Sequence, residues 1–136
     1  MRFMILVKAT ARSEQGIGEL TEEMVEAMTT YHEELAKAGA LLDASGLQPS
    51  SKGWRVRYSR QGRTVVDGPF AETKELVAGY TLIQVRSREE AIEWSRRFPN
   101  PALDGGDGEI EVRQLYEFED FPPSEGIQRF RKLGTL

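Results

Sequence analysis

The stretch VVDGPFAETKELVAGYTL, residues 65–82, decides the reading of the fold. Val65 and Val66 end an apolar run, and Asp67-Gly68-Pro69-Phe70 breaks it. A charged segment with Glu72, Lys74 and Glu75 follows, and Gly79 to Val85 starts a second apolar run. Asp-Gly is a strong turn pair, and proline fixes the backbone and removes a donor, so two strands are expected on either side of a tight exit. Upstream, Trp54, Val56 and Tyr58 alternate with Arg55 and Arg57. With Gln61-Gly62 at the tip, residues 54–68 form a predicted hairpin.

Working outward, Phe3 to Val7 reads as a buried strand and residues 11–20 as a polar, glycine-containing loop. Thr21 caps a predicted helix, with Glu22 and Glu23 in its first turn, where the helix dipole favours negative charge. Met24, Met28, Tyr31, Leu35 and Ala38 recur on one face, and Gly39 stops the helix. Residues 40–49 give a short strand and a loop. Ser87 and Glu90 form a capping box for a second helix, whose inner face carries Ala91, Trp94, Ser95 and Phe98. Two prolines and three glycines make 99–108 a loop, and 109–118 is a strand with Ile110, Val112, Gln114, Tyr116 and Phe118 on one side. The tail from residue 119 carries Pro122-Pro123 and the apolar-basic end IQRFRKLGTL.

The order strand, helix, strand, hairpin, strand, helix, strand predicts an α+β chain. It would have one ferredoxin-like antiparallel sheet with two helices on one face. Two helices leave the other sheet face bare, so a homodimer with packed sheets is expected. The domain reading is one unit over 1–121, with a tail over 122–136 that packs on the body or on a partner subunit.

Composition narrows the function. The 136 residues fit one domain. With no cysteine, disulfides, thiolate metal sites and cysteine nucleophiles are excluded, and a cytoplasmic setting is the natural one. A net charge of −4 argues against a nucleic-acid surface. The five-residue run Phe3 to Val7 is too short for a membrane span. No phosphate loop, nucleophile elbow or dinucleotide fingerprint occurs, so no cofactor is expected. One histidine without H-x-x-x-H spacing gives no reason to expect a metal.

His32, the single histidine, falls on the shoulder of the first helix's apolar face, where an imidazole can look into a cleft and move protons. A half-buried surface histidine is the plainer reading. Asp67 at a strand exit and Glu75 beyond it are the candidate carboxylates, against the plainer readings of a turn residue and a solvated face. Arg57 and Tyr58 on the hairpin, Tyr80 at the start of the next strand and Gln114 on the apolar side of the last one are candidate substrate-binding residues. Arg55, Arg57, Arg60 and Arg63 also fit a hairpin whose charges protect an edge.

DGPFAETKELVAGY, residues 67–80, resembles the signature of the YCII-related family in its DGPF-domain branch. MTTYHEELAKAGALL (28–42), GLQPS (46–50), EEAIEWSRRFP (89–99) and GEIEVRQLYEFEDF (108–121) resemble the same branch. The resemblance implies a dimeric α+β barrel of ferredoxin-like protomers. YCII-like proteins are held to use a histidine and an aspartate that meet in a cleft, and one relative type removes chloride from a chlorinated hydroxyquinol. In that pattern the histidine place is taken here by Met28, one turn before His32. The aspartate place before a proline reads Asn100-Pro101. The resemblance implies less about activity; the residues themselves, with no cofactor motif or covalent nucleophile, fit a small cofactor-independent enzyme of lyase or isomerase type acting on a small anionic or phenolic molecule. The alternative is a ligand-binding or regulatory module linked to an extracytoplasmic-function sigma factor.

Overall fold

A computed structural model describes residues 1–103 and 105–134. The loop reading at residue 104 and the tail reading at 135–136 lie outside the described residues. Strands β1 (Arg2–Lys8), β2 (Leu41–Gly46), β5 (Val77–Gln84) and β6 (Ile110–Gln114) form one sheet in the order β2-β5-β1-β6, antiparallel at every pair. Helix α1 (Glu22–Lys37) connects β1 to β2, and α2 (Arg88–Arg96) connects β5 to β6. Each helix therefore links two strands that have a third between them, the ferredoxin-like arrangement expected from the element order. Strands β3 (Trp54–Ser59) and β4 (Gly62–Asp67) pair only with each other and stand as a separate two-stranded ribbon.

Local chemistry explains the boundaries. Thr21 Oγ1 accepts the Met24 N–H at 3.2 Å at the start of α1. At its end Gly39 takes φ 72°, and Ala40 N–H returns to the Leu35 carbonyl, the glycine-dependent closure that a Cβ would strain. Ser87 Oγ accepts from Glu90 N–H, while the Glu90 carboxylate reaches the Arg86 N–H, one residue outside the expected box.

Strand alternation sorts the sheet. Phe3, Ile5, Thr81 and Ile83 face the helices and meet Tyr31, Leu35, Ala91 and Trp94 in the core. Met4, Leu6 and Leu82 point to the opposite face and stay half-buried. Strand β6 is five residues long, not the ten of 109–118: the Leu115 N–H makes the last in-register bond, to the carbonyl of Arg2 where β1 begins, and the chain then leaves the ladder into the turn 118–120. Tyr116 is consequently exposed and stacks on Phe121. The apolar-basic tail contains a third helix, α3 (Glu125–Lys132), absent from the sequence reading. Its Phe130 meets Phe118 edge to face, and Arg131 pairs with Glu119 at 2.7 Å. The expected inward position of Ala38 is not realised, since it lies exposed past the last turn of α1.

Tyr31 ties the two helices together. Its hydroxyl donates to the Trp94 carbonyl at 2.8 Å, and its ring packs edge to face on Trp94 and Phe98. Burial pushes its pKa up from 10.0 to about 12, with Arg97 opposing weakly. The folded state thus holds the proton that the unfolded state releases first. Stability from this group is full below pH 10 and is lost as pH rises toward 12. Tyr31→Phe is expected to cost about 1 kcal/mol near neutrality from the lost hydrogen bond. Relative to the variant, wild type should lose up to about 2 kcal/mol between pH 10 and 12 in denaturant titrations, enough to close the gap and reverse its sign. A gap that stays constant over that range would contradict the assigned burial effect.

Candidate functional site

A cleft of about 690 Å³ opens at one end of the sheet. Its floor is the end of β1 (Val7, Lys8), the start of β5 (Ala78 to Thr81) and the end of β2 (Ala44 to Gly46). One wall is α1, through Met28, His32 and Ala36. The other walls are the loop holding Ser13, Ile17 and Leu20, and the segment holding Phe98, Pro101 and Leu103. The volume suits a small organic molecule, and the lining is mostly apolar with a few polar groups, as ligand sites usually are.

His32 is the polar centre. Its Nδ1 lies 2.7 Å from the Met28 carbonyl and its Nε2 2.8 Å from Thr81 Oγ1. A carbonyl can only accept, so Nδ1 carries the proton and donates. In the neutral ring Nε2 is then the acceptor, and the Thr81 hydroxyl donates to it. Thr81 is only 2% exposed, so its hydroxyl requires this partner. Tyr31 and Phe98 meet the imidazole ring edge to face at centroid distances of 5.4 and 6.2 Å. The assembly is a tautomer-fixed imidazole with a hydroxyl at its basic nitrogen, in an apolar recess. Among the described residues no group of three His, Cys, Asp or Glu side chains is placed to hold a metal ion.

The other sequence-derived candidates are dispersed. Tyr80 belongs to the cleft's rim, but alternation turns its ring to the face opposite Thr81. There its hydroxyl donates to Asp43 at 2.9 Å, and the nearby carboxylate raises its pKa. Asp67 is exposed at the end of β4, opposite Trp54. Glu75 is exposed in the turn 73–75 before β5. Arg57 and Tyr58 are exposed on the ribbon, and Arg63 stacks on Tyr58 at 4.9 Å. Gln114 does share the helix-facing side with Phe3. It is exposed rather than buried, because it is the last residue of β6 and pairs at the end of the sheet away from the cleft. None of these five lines the cleft, so His32 and Tyr80 alone of the candidates touch it. Thr81 was missed by sequence reasoning. Its signal was available as a lone hydroxyl among apolar residues on the inward face of a strand.

The stretch DGPF has a structural task that bears on the cleft. Gly68 packs so tightly on the turn Ser50–Lys52 that a Cβ there would sit 1.9 Å from the Ser50 carbonyl oxygen, and its N–H donates to Gly53. The Gly68–Pro69 peptide is cis. Phe70 N–H donates to Ser50 Oγ at 3.0 Å, and the Arg55 guanidinium lies 3.8 Å over the Phe70 ring. Ser50 in turn donates its N–H, at 2.9 Å, and its hydroxyl to the Glu14 carboxylate. Glu14 stands between Ser13 and Gly16, which line the cleft, and Ser13 and Thr10 brace each other by reciprocal hydrogen bonds. DGPF therefore anchors the cleft wall through Ser50 and Glu14.

The family model for the YCII-related domain matches residues 1–119. An uncharacterised protein of Rhizobium meliloti is 31% identical over 101 residues, spanning 74% of this chain and 82% of that protein. Among solved structures, a 5-chloro-2-hydroxyhydroquinone dehydrochlorinase from Burkholderia phenoliruptrix, in complex with 2,5-dihydroxybenzoquinone, aligns with 14% identity. The alignment covers 85% of this chain and 94% of that one, with a TM-score of 0.46.

The anchoring makes a testable distinction within one motif. Gly68→Ala is expected to destabilise the protein by about 1–3 kcal/mol or more, through overpacking against backbone that cannot move aside. It should also speed amide exchange at Ser13 to Gly16. Asp67→Ala, at an exposed position, should stay within about 0.5 kcal/mol of wild type. Equal effects of the two changes in thermal unfolding would refute the assignment.

Proposed function

We propose that this chain, which belongs to the YCII-related family, binds a small phenolic or anionic molecule in the cleft between α1 and the β5 end of the sheet, and performs cofactor-independent acid–base chemistry on it with His32. The observation that carries this reading is the Thr81–His32–Met28 hydrogen-bond chain in an otherwise apolar recess. Neither ring nitrogen needs a carboxylate to be oriented, which removes the need for Asp67 or Glu75 at the site.

The chemistry follows from the fixed tautomer. A substrate hydroxyl or acidic C–H placed at Thr81 Oγ1 gives up its proton to that oxygen while the Thr81 hydroxyl proton passes to His32 Nε2. The imidazolium keeps its Nδ1–H on the Met28 carbonyl, and the electron pair stays on the substrate, ready to expel a leaving group or to be reprotonated at another atom. Lyase and isomerase outcomes both begin this way. Lys8, at the cleft floor, is a cation suited to an anionic substrate or product.

The test uses the single imidazole. Catechol and hydroquinone titrated into the protein should move the His32 ring signals, and in the free protein the neutral ring should show the Nδ1–H tautomer in long-range proton–nitrogen spectra. Thr81→Val should weaken the ligand-induced change about tenfold or more. His32→Ala should lower turnover of any accepted substrate by about 10²- to 10⁴-fold. Phenols that bind without touching the His32 signal would sink the proposal.

We also propose a homodimer whose second copy covers the sheet face bearing Met4, Leu6 and Leu82, which neither α1 nor α2 covers. Equilibrium sedimentation should then give twice the 15.4 kDa chain mass. A monomer at micromolar concentration would overturn this.

A further inference from the structure

The cleft does not end at Met28. A second groove of about 440 Å³ continues from it between α1 and the segment 99–103. Leu20, Met28, Thr29, Pro101 and Leu103 line both spaces, so the two are adjoining parts of one trough. The trough follows the axis of α1, with Glu23, Met24 and Ala27 at the far end and His32 and Ala36 at the near end. From Met24 to Ala36 the helix rises about 18 Å at about 1.5 Å per residue. A single aromatic ring on His32 would leave most of that length empty.

The chemistry of the extension is apolar. Met24, Met28, Leu103 and two prolines face it. Its amide, Asn100, is already committed: Oδ1 accepts the Ala102 N–H and Nδ2 donates to the Gly106 carbonyl, so the loop itself uses the polar atoms. The carboxylate of Glu23 belongs to the first turn of α1 and is exposed, which marks where the groove opens to water. Apart from the Thr29 hydroxyl and the Glu23 carboxylate at the mouth, the described side chains along the groove offer hydrocarbon or committed polar atoms, so an alkyl chain would be removed from water against methionine and leucine.

We propose that the ligand is elongated and amphipathic: a phenolic or acidic head against Thr81 and His32, and an alkyl tail laid along α1 in the groove beside Met24 and Ala27. This rests on the reading that the His32 cleft is the ligand site, and it adds the tail. Ala27 is exposed and borders only the extension, so a large side chain placed there fills the groove without disturbing the core.

The experiment measures affinities of para-alkylphenols from ethyl to octyl by calorimetry while the His32 ring signal reports the head. Affinity is expected to rise about three- to fourfold per added methylene until the groove is full. Ala27→Trp, and separately Met24→Gln, should cut the octyl-to-ethyl affinity ratio at least tenfold. Alkanoic acids of matched length, run alongside, identify the head group as the class whose binding also moves the His32 signal. If the phenols move that signal but affinity ignores chain length, the tail is refuted and the cleft reading stands. Affinity that grows equally in wild type and Ala27→Trp refutes the groove as the tail's place. No member of either series moving the His32 signal refutes the cleft reading and this inference with it.

Discussion

A hydroxyl enclosed on the inner face of a sheet must find a hydrogen-bond partner, and at Thr81 that partner is the only imidazole in the chain. Much follows from this contact. It draws His32 in beside Tyr31 and Leu35, whose burial turns that side of α1 to the sheet. It fixes the tautomer, because the other ring nitrogen is left to the Met28 carbonyl one turn earlier. It also leaves an imidazole–hydroxyl pair where apolar walls converge, a setting in which a hydrogen bond is electrostatically stronger than in water.

The fold was legible in the sequence because each signal was local and repeated. Thr21, Gly39 and Ser87 mark helix ends by chemistry that operates within a few residues, and the alternation of β1 and β5 has period two throughout. Where the reading went astray, a non-local event was responsible. Strand β6 ends early because its partner β1 reaches only to Arg2, which takes the last N–H of the ladder from Leu115 and, by its guanidinium, the Glu117 carboxylate, whose pKa it lowers. Helix α3 is amphipathic but short, and its Phe130 leans on Phe118, a contact that its own eight residues do not announce.

The site was legible only in part, and the reason is the same. His32 stands out because it is unique, and its shoulder position on α1 is a matter of helical period. Thr81 is one hydroxyl in a β-rich segment, and nothing within the segment says that its neighbour across the interior is an imidazole 49 residues away. The candidate carboxylates Asp67 and Glu75 were drawn from a motif whose specificity lies in packing. Gly68 allows backbone to touch backbone, Phe70 takes the Arg55 guanidinium on its face, and the carboxylate that matters to the cleft wall is Glu14, held by Ser50 from 36 residues away.

The ribbon of β3 and β4 is tied down at its base. There, Gly53, Gly68 and Phe70 exchange hydrogen bonds with the Ser50 turn, whereas Trp54, Tyr58 and Val65 are 65%, 70% and 63% exposed along its length. Two strands without a third strand or a helix against them are marginal in water. Local stability therefore grades along the ribbon: firm beside the cleft wall and close to the cost of fraying at Arg60 to Gly62. Fraying at the tip is therefore expected to leave the hydrogen bonds around Ser50, and with them the cleft wall, in place.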